Sequence, residues 1–373
     1  MEGCKRIGIL TSGGDAPGMN AAIRAAALVG QATGAEMFGI ERGYRGLLDD
    51  AIAPIKPADV AGILREGGTM LGSARCKEFH RREIRDQART ILGKHGIDGL
   101  IVIGGNGSLT GALHLTDPNE IGDGPSLKCI GVPASIDNDL GLTGLSIGVD
   151  TAMNTIVEAC DKIADTATAH DRTFIVEVMG RDCGYLAMTS AIAVGADLAL
   201  FPEAGKKDSE VIQQIVDTVL AVRSRQTRKA RRVIIIKAEG VSIPIDQLKT
   251  AVDARLKEMA PEADPSGIET RVTVLGHVVR GGRPSAFDRL LGSRLANVAV
   301  RALRAGVTHK MASWLPPVEL PEEVGARSPA DPYCWLVDLS AVLVETENLL
   351  KGRSPLARWR AGAFDEIEDA LLL

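Results

Sequence analysis

The feature that most constrains the fold is a repeated alternation of short apolar runs with glycine-rich turns and helix-like segments. Continuous apolar runs bounded by Gly or Pro are typical of parallel strands that are covered on both faces. The order of strand and helix signals predicts an α/β protein with doubly wound, mainly parallel sheets and right-handed crossovers. The predicted strands are Arg6–Leu10, Glu36–Ile40, Gly99–Ile103, Lys128–Val132, Thr173–Val178, Arg232–Lys237 and Val272–Leu275.

The chain has 373 residues, which predicts two domains. This number of strands also fits two sheets better than one. The turn-rich segment Asn138–Gly148 is a candidate boundary. Segment 206–232 is basic and has no apolar run, so we expect a surface helix and a loop there. The tail after Pro332 has helical patterns but no motif that indicates a role.

Composition excludes several classes of partner. A net charge of −5 provides no basic field for nucleic acid or an anionic membrane. The longest apolar stretch, Leu186–Phe201, is interrupted by Asp197 and other polar residues, so it is not a membrane span. Met1–Lys5 leads directly into a strand, without the pattern of a signal peptide. Because the six cysteines form no C-x-x-C pair, we expect reduced thiols in a cytoplasmic protein.

Two glycine-rich loops, Thr11–Asn20 and Ile103–Gly111, each lie between a predicted strand and a predicted helix. Backbone N–H groups at a helix N-terminus can bind phosphate. Two such loops at the carboxyl ends of strands in one sheet face one crevice, which favours a ligand with several phosphates, such as a nucleoside triphosphate. Each loop alone could be an ordinary turn. The first lacks G-x-G-x-x-G spacing, which weakens a dinucleotide fold, although Glu41 could mimic its ribose-binding acid.

A pair of carboxylates follows the next strand, in Pro133–Asp139. Asp137 could accept a hydroxyl proton while Asp139 orients a metal or a partner group, as phosphoryl transfer requires. The alternative is a turn in which both carboxylates only cap backbone N–H groups.

Polar residues beside the later strands could bind an anionic sugar. Arginine binds phosphate through a bidentate fork. His277 could be a ligand or a structural histidine, and Glu239 could bind sugar hydroxyls or form a surface ion pair. The arginines concerned are Arg172, Arg181, Arg271 and Arg280.

Taken together, these motifs resemble those of the 6-phosphofructokinase family. They occur in the same order as in that family, from about residue 5 to residue 310. The matching strings are GILTSGGDAPGMNAAIR, GGTMLGSAR, VIGGNGSLTGA, PASIDND, HDRTFIVEVMGRDCGYLA and RVTVLGHVVRGGRPSAFDR. The resemblance implies ATP-dependent phosphorylation of fructose 6-phosphate at its 1-hydroxyl, which gives fructose 1,6-bisphosphate and ADP in glycolysis.

The resemblance also implies two Rossmann-like domains with the active site in the cleft between them. Residues 1–148 with about 279–329 are then expected to bind ATP and Mg²⁺. Residues 149–278 with about 330–373 are expected to bind the sugar phosphate.

Site residues follow from the resemblance position by position. Asp137 matches the catalytic base, and Arg181 and Gly13 are expected to assist it. The ATP site is expected to include Gly13, Arg75, Cys76, Gly105, Asn106, Gly107 and Ser108. The substrate residues are expected to be Ser135, Ile136, Asp137, Asp139, Arg172, Met179, Gly180, Arg181, Glu239, Arg271, His277 and Arg280. Since the family supplies the counterparts of Arg172 and Arg271 from a neighbouring subunit, a homo-oligomer, either a tetramer or a dimer, is implied.

Several departures from the family pattern limit what the resemblance implies. Asn106 stands where the family has an aspartate that handles Mg²⁺, so weaker metal binding is expected at Asn106. Ser135 keeps a hydroxyl in the carboxylate motif. Of two effector-binding arginines on the first helix, only Arg24 is present, with Leu28 one turn on. A weakly active or inactive regulatory subunit and a pyrophosphate-dependent enzyme remain alternatives.

We predict that ATP, and not pyrophosphate, supports turnover. The pyrophosphate-dependent members of the family carry Asp and Lys at the positions of Gly107 and Ala134. Gly107→Asp should abolish use of ATP, because its carboxylate would meet the triphosphate. Coupled assays of both proteins with either donor measure this, and strong pyrophosphate-dependent activity of the unmutated protein would overturn the prediction.

Overall fold

The computed structural model describes residues 3–121, 127–224, 232–260, 269–315, 320–356, 360, 362 and 364. The strands, in chain order, are β1 (Arg6–Ser12), β2 (Glu36–Ile40), β3 (Ile52–Pro54), β4 (Gly99–Gly104), β5 (Lys128–Pro133), β6 (Thr173–Val178), β7 (Leu198–Leu200), β8 (Val233–Ala238), β9 (Thr270–Val274), β10 (Lys310–Trp314), β11 (Gly325–Arg327) and β12 (Cys334–Asp338). The helices are α1 (Met19–Ala32), α2 (Gly43–Leu48), α3 (Arg82–Lys94), α4 (Asn106–Leu115), α5 (Pro118–Ile121), α6 (Val149–His170), α7 (Tyr185–Val194), α8 (Asp208–Arg223), α9 (Ile245–Met259), α10 (Ala286–Arg304) and α11 (Leu339–Leu350).

The chain divides into two compact units. The first comprises Met1–Thr151 and Arg280–Leu349, and the second comprises Ala152–Val279 and Leu350–Leu373. Each unit contains one sheet, and the predicted apolar runs form the central strands of the first and three strands of the second, so the prediction of an α/β protein with mainly parallel sheets is confirmed. Among the described residues, no helix is both long and apolar enough to cross a membrane.

The first unit is built on an eight-stranded sheet with the order β11-β12-β10-β5-β4-β1-β2-β3. Strands β10, β5, β4, β1 and β2 are parallel, and antiparallel strands extend the sheet at both edges. β4 is buried along its whole length, as expected for a central parallel strand with both faces covered.

Helices cover this sheet through small and apolar side chains. Leu10 of β1 and Val102 of β4 contribute to a core that also includes side chains of α2, α3 and α4. Helix α1 packs against α10. A Cβ atom on Gly292 of α10 would lie 2.9 Å from the carbonyl oxygen of Gly18, so this close approach requires a glycine.

The second unit has a four-stranded parallel sheet with the order β7-β8-β6-β9. One face of this sheet packs against α8 and α9 through a core of Val, Ile and Leu side chains. Helix α8 accounts for the described part of the basic segment 206–232, and it buries an apolar stripe that includes Val211 and Ile215. Residues 225–231 lie outside the described residues.

The expected assignment of residues 330–373 to the second domain is wrong for residues 330–349. Strand β12 pairs with both β10 and β11, so this part of the chain completes the first sheet. Strands β11 and β12 are short and lie at one side of the first sheet. They lack the long apolar runs that identified the central strands. Only Leu350–Leu373 groups with the second unit.

A charged network connects α5 to α3 in the first unit. Glu120 accepts hydrogen bonds from Arg85 Nε at 2.8 Å and from Arg89 Nη2 at 2.7 Å. The side chain of Arg85 is only 6% exposed. The hydrogen bond from Arg85, followed by that from Arg89, lowers the pKa of Glu120 from 4.5 to about 2.

We predict that Glu120→Gln lowers the free energy of unfolding by ~1–3 kcal/mol at pH 7, because the arginines lose a charged acceptor. A lowered carboxyl pKa stabilises the fold above the ordinary value of 4.5, and this stabilisation is lost as the pH falls towards about 2. The difference between variant and wild type should therefore shrink between pH 7 and pH 3 in urea denaturation.

The control is Glu158→Gln, which removes the partner of Lys162 in an exposed pair whose side chains are 71% and 72% exposed. It should leave the stability close to that of the wild type, because exposed ion pairs contribute little. An equal loss in Glu120→Gln at pH 7 and at pH 3 would contradict the assigned pKa.

Candidate active site

The direction of chain crossovers reverses between β1 and β4. Strand β1 connects through α1 to β2 on one side, whereas β4 connects through α4 to β5 on the other. Ligands of open α/β sheets bind outside the carboxyl ends of the strands at such a reversal. The two predicted phosphate loops follow these two strands, so the topology brings them to one place.

The loop after β1 turns at Gly13, whose φ of +90° favours glycine. Segment 66–73 is bonded to this loop: Ser73 Oγ donates to the Gly13 carbonyl at 2.5 Å, and Thr11 Oγ1 donates to the Gly72 carbonyl at 2.7 Å. These hydrogen bonds fix the start of the segment that carries Arg75, which is exposed, and Cys76, which is half-buried.

Asn20 reinforces the same connection from the first turn of α1. Its side-chain oxygen accepts the backbone N–H of Met70 at 2.7 Å, and its amide donates to the carbonyls of Glu66 and Gly67 at 3.1 Å. Asn20 is 2% exposed. It lies within the first glycine-rich motif, but spacing alone gave no reason to assign it a role.

The loop after β4 leads into α4 at Gly105. Asn106 and Gly107 form the first turn, and a Cβ on Gly107 would meet no atom within 4 Å, so the space beside it is open. A Cβ on Gly13 would lie 3.3 Å from Ser108 Oγ, which shows that the two loops touch. The N-terminus of α4 therefore lies beside Gly13, and the N–H groups at the start of a helix can bind an anion.

The loop after β5 carries the paired carboxylates. Ser135 Oγ donates to Asp139 Oδ1 at 2.7 Å, and Ile136 is buried beneath the loop. A Cβ on Gly105 would lie 3.7 Å from Ser135 Cβ, so this third loop adjoins the second. The structure therefore gathers the predicted residues of three separate loops, including Asp137.

Asn138 holds the carboxylate loop in shape. Its φ is +50°, in the left-handed region that asparagine tolerates. Its amide donates to the Gly144 carbonyl at 3.0 Å, and its side-chain oxygen accepts the N–H of Ser146 at 3.0 Å. The sequence placed Asn138 between two candidate acids without indicating this role.

Asp288 is a buried acid that the motif search did not single out. It accepts hydrogen bonds from Gly148 N at 2.7 Å, and from Thr151 N and Oγ1 at 2.8 and 2.6 Å. Burial raises the pKa of Asp288, while the bonds from Thr151 and Gly148 oppose that rise. These bonds anchor the start of α6 and the residues that lead to it from the carboxylate loop.

In the second sheet, the crossover direction reverses between β6 and β8. Met179, Gly180 and Arg181 follow β6, and Glu239 follows β8. Glu239 N donates to the Val178 carbonyl at 2.9 Å, so the residues after the two strands are joined.

His277 lies in a 3-10 turn, residues Gly276–Arg280, directly after β9. The predicted ligands after β6, β8 and β9 therefore all lie at the carboxyl-terminal ends of the parallel strands.

Two predicted arginines lie near the amino-terminal ends of these strands. Arg172 immediately precedes β6, and Arg271 is the second residue of β9, in register with Phe174. A six-residue strand such as β6 spans roughly 20 Å. Within this chain, Arg172 and Arg271 are therefore remote from the ligands that follow the strands.

Arg280 belongs to the first unit and contacts its loop after β1. Its Nη1 atom donates to the Asp15 carbonyl at 3.4 Å, and a Cβ on Gly14 would lie 2.8 Å from that nitrogen. The sequence grouped Arg280 with the sugar-phosphate residues, whereas the structure places it against the loop after β1.

A separate cluster of potential metal ligands comprises His114, Asp117 and Glu120. It lies beyond the carboxyl end of α4, the opposite end of that helix from Asn106. Glu120 in this cluster is already bonded to arginines. This cluster is therefore separate from the metal site that the sequence predicts at Asn106.

Comparison with known proteins supports one family. A family model described as phosphofructokinase matches residues 6–303. The chain is 45% identical over 302 residues to an ATP-dependent 6-phosphofructokinase of Thermotoga neapolitana, which covers 81% of this chain and 87% of the relative. It is 46% identical over 302 residues to that of Bacillus pumilus, with the same coverage.

Solved structures show the same similarity. A phosphofructokinase of Pichia pastoris, solved in the T-state, matches with a TM-score of 0.84 at 32% identity. The match covers 100% of this chain and 40% of the yeast chain. The present chain therefore spans less than half of the length of that relative.

Proposed function

The chain belongs to the phosphofructokinase family, and we propose that it acts as an ATP-dependent 6-phosphofructokinase. It transfers the terminal phosphoryl group of ATP to the 1-hydroxyl of fructose 6-phosphate and releases ADP and fructose 1,6-bisphosphate, a step of glycolysis. The observation that carries this proposal is the junction of three loops, in which Gly13 lies beside Ser108 and Gly105 lies beside Ser135. The names of the similar bacterial enzymes support ATP as the donor.

The donor phosphates bind where the first two loops meet. Backbone N–H groups at the start of α4 face the open space beside Gly107, and Gly13 presents no side chain there. Arg75 and Cys76 flank the nucleotide, because their segment is bonded to the loop after β1. This arrangement binds anionic phosphate mainly through main-chain dipoles.

Asp137 acts as the base of the reaction. It accepts the proton of the 1-hydroxyl while the new bond forms between that oxygen and the terminal phosphorus. The bond between this phosphorus and the bridging oxygen of ADP breaks, and ADP leaves with the electron pair. Asp139 is held by Ser135, and Arg181 offsets charge on the transferred group. Positioning and charge neutralisation dominate catalysis of this type.

The donor set fits Mg²⁺, which prefers oxygen ligands. Asn106, which carries an amide oxygen, is the first residue of α4, and the carboxylates of Asp137 and Asp139 lie on the adjoining loop. When bound, the ion neutralises charge on the ATP phosphates. Because Asn106 contributes no charge, the two aspartates must supply more of the attraction than in a site with an acid at residue 106.

The acceptor is bound by the residues at the carboxyl edge of the second sheet. Met179, Gly180, Arg181, Glu239 and His277 bind the sugar phosphate. Gly180 has a φ of +130°, a backbone shape that requires glycine. Crevices at a reversal of crossover direction are the usual ligand sites of such sheets, which supports this assignment.

Arg172 and Arg271 serve the 6-phosphate in a neighbouring subunit. Their place at the amino edge of the sheet supports this, since they are a strand length away from their own chain's sugar residues. The active enzyme is therefore a homo-oligomer, a dimer or a tetramer, with shared sites. Its location in the cytoplasm stays a prediction.

The base is tested by Asp137→Asn. The substitution should lower kcat by at least ~10²-fold, because the amide cannot accept the hydroxyl proton. Binding of fructose 6-phosphate, measured by calorimetry, should be largely retained. Asp246→Asn, at an exposed position in α9, is the control and should have full activity. Near-normal kcat in Asp137→Asn would remove this residue from its role.

Asn106→Asp distinguishes a weakened metal site from a regulatory subunit. An added carboxylate should lower the Mg²⁺ concentration for half-maximal rate and raise kcat by roughly ten- to hundred-fold, the equivalent of ~1–3 kcal/mol for one charge-assisted contact. Steady-state rates over a Mg²⁺ series measure both quantities. Unchanged rates and Mg²⁺ dependence would mean that residue 106 does not handle the metal. No activity in either folded protein, with ATP binding intact, would favour the regulatory subunit.

Shared sites are tested by mixing two inactive variants. Arg172→Ala and Asp137→Asn should each be inactive alone, yet mixed oligomers should regain activity at sites that combine an intact Arg172 with an intact Asp137. Native mass spectrometry verifies subunit exchange before the assay. Verified mixed oligomers without activity would count against sharing.

A further inference from the structure

A lysine is buried in the sheet of the second unit. Lys237, on β8, is 1% exposed, and its Nζ atom donates to Glu177 Oε2 on β6 at 2.7 Å. The two residues are in register on adjacent parallel strands. Ile175 and Ile235, two residues earlier on the two strands, belong to the apolar core of this unit. Since alternate residues share a face, the ion pair replaces one layer of that core.

Stability does not explain this pair. Transfer of two charges out of water costs several kcal/mol per ion, and well-packed apolar residues in place of a buried ion pair are often neutral or stabilising. The run Val233–Ala238 is otherwise apolar up to its last residue, so an isoleucine or valine at position 237 would continue its pattern. The contacts of the pair point to a different role.

The lysine holds the peptide that precedes Glu239. Its Nζ atom also donates to the Ala238 carbonyl at 3.3 Å. The N–H of the same peptide, on Glu239, donates to the Val178 carbonyl at 2.9 Å. Both polar groups of this peptide are therefore bonded, and its plane determines where the Glu239 side chain begins.

The glutamate connects the other two ligand segments. Its main-chain carbonyl accepts the N–H of Leu275 at 3.0 Å, two residues before His277. Glu177 itself lies two residues before Met179 on β6. Gly240 N also donates to the Gly180 carbonyl at 3.1 Å, which joins the segments after β6 and β8. The ion pair thus lies near the point where the segments that carry Met179, Glu239 and His277 leave their strands.

We propose that Lys237 and Glu177 are positioning residues for the sugar-phosphate half of the active site. This inference rests on the proposed function, because it takes Met179, Glu239 and His277 as sugar ligands. The pair orients these three segments with respect to one another, and the hydrogen bonds of Lys237 described above lie within the second sheet. Its loss should therefore weaken binding of fructose 6-phosphate selectively.

The test is the double variant K237M/E177L, which replaces the pair with apolar side chains. Its melting temperature should equal or exceed that of the wild type. Its KM for fructose 6-phosphate should rise roughly ten- to hundred-fold, the scale of a small misplacement of binding groups, while its KM for ATP stays unchanged. The control K162M removes the lysine of an exposed pair in α6 and should change neither KM.

The single variant K237M leaves the Glu177 carboxylate without its lysine and should be less stable than the double variant. If it does not fold, the double variant still decides the question. A folded double variant with wild-type KM for fructose 6-phosphate overturns the positioning role. A parallel rise in both KM values also overturns it, because it would indicate a general structural defect.

Failure of the proposed function would be visible separately. It would appear as a wild-type protein that does not turn over fructose 6-phosphate with ATP. Calorimetric titration of wild type and double variant with fructose 6-phosphate then still tests the inference, with weaker binding by the variant as the expected result and equal binding as the contrary one.

Discussion

The structure depends on a rule of chain handedness. Right-handed crossovers oblige the connections of adjacent parallel strands to separate wherever the direction of winding reverses. Each sheet has one such reversal among its described central strands, between β1 and β4 in the first unit and between β6 and β8 in the second. The two glycine-rich loops and the segments that carry Met179 and Glu239 begin at these positions. The chemistry is therefore placed by backbone topology first and by side chains second.

Local patterns identified the central fold and most of the candidate site. Continuous apolar runs revealed β1, β4 and β5, and the glycines after them marked loops that the structure brings together. Sequence could not show which strands are neighbours in a sheet, because that order depends on contacts between distant segments. Residue type alone grouped Arg271 with Arg181, whereas the structure places the two residues at opposite ends of the strands of the second sheet.

Residues whose partners lie far along the chain were missed. Asp288 bonds to Thr151 and Lys237 bonds to Glu177, so the partners are 137 and 60 residues apart. Neither residue belongs to a local pattern that would have indicated its partner. Strand β12 was missed for a related reason, since only its pairing with β10 and β11 shows where the tail belongs.

The separation of Arg172 and Arg271 from their own chain's sugar residues has a consequence for the enzyme in dilute solution. Under the proposed sharing of sites, an isolated subunit lacks part of its binding groups for the 6-phosphate. Association of subunits then obeys mass action, so the fraction of complete sites depends on the concentration of the protein itself. Specific activity would not be a constant of this enzyme: it would fall on dilution, and anything that tightens subunit association would act as an activator without touching a substrate.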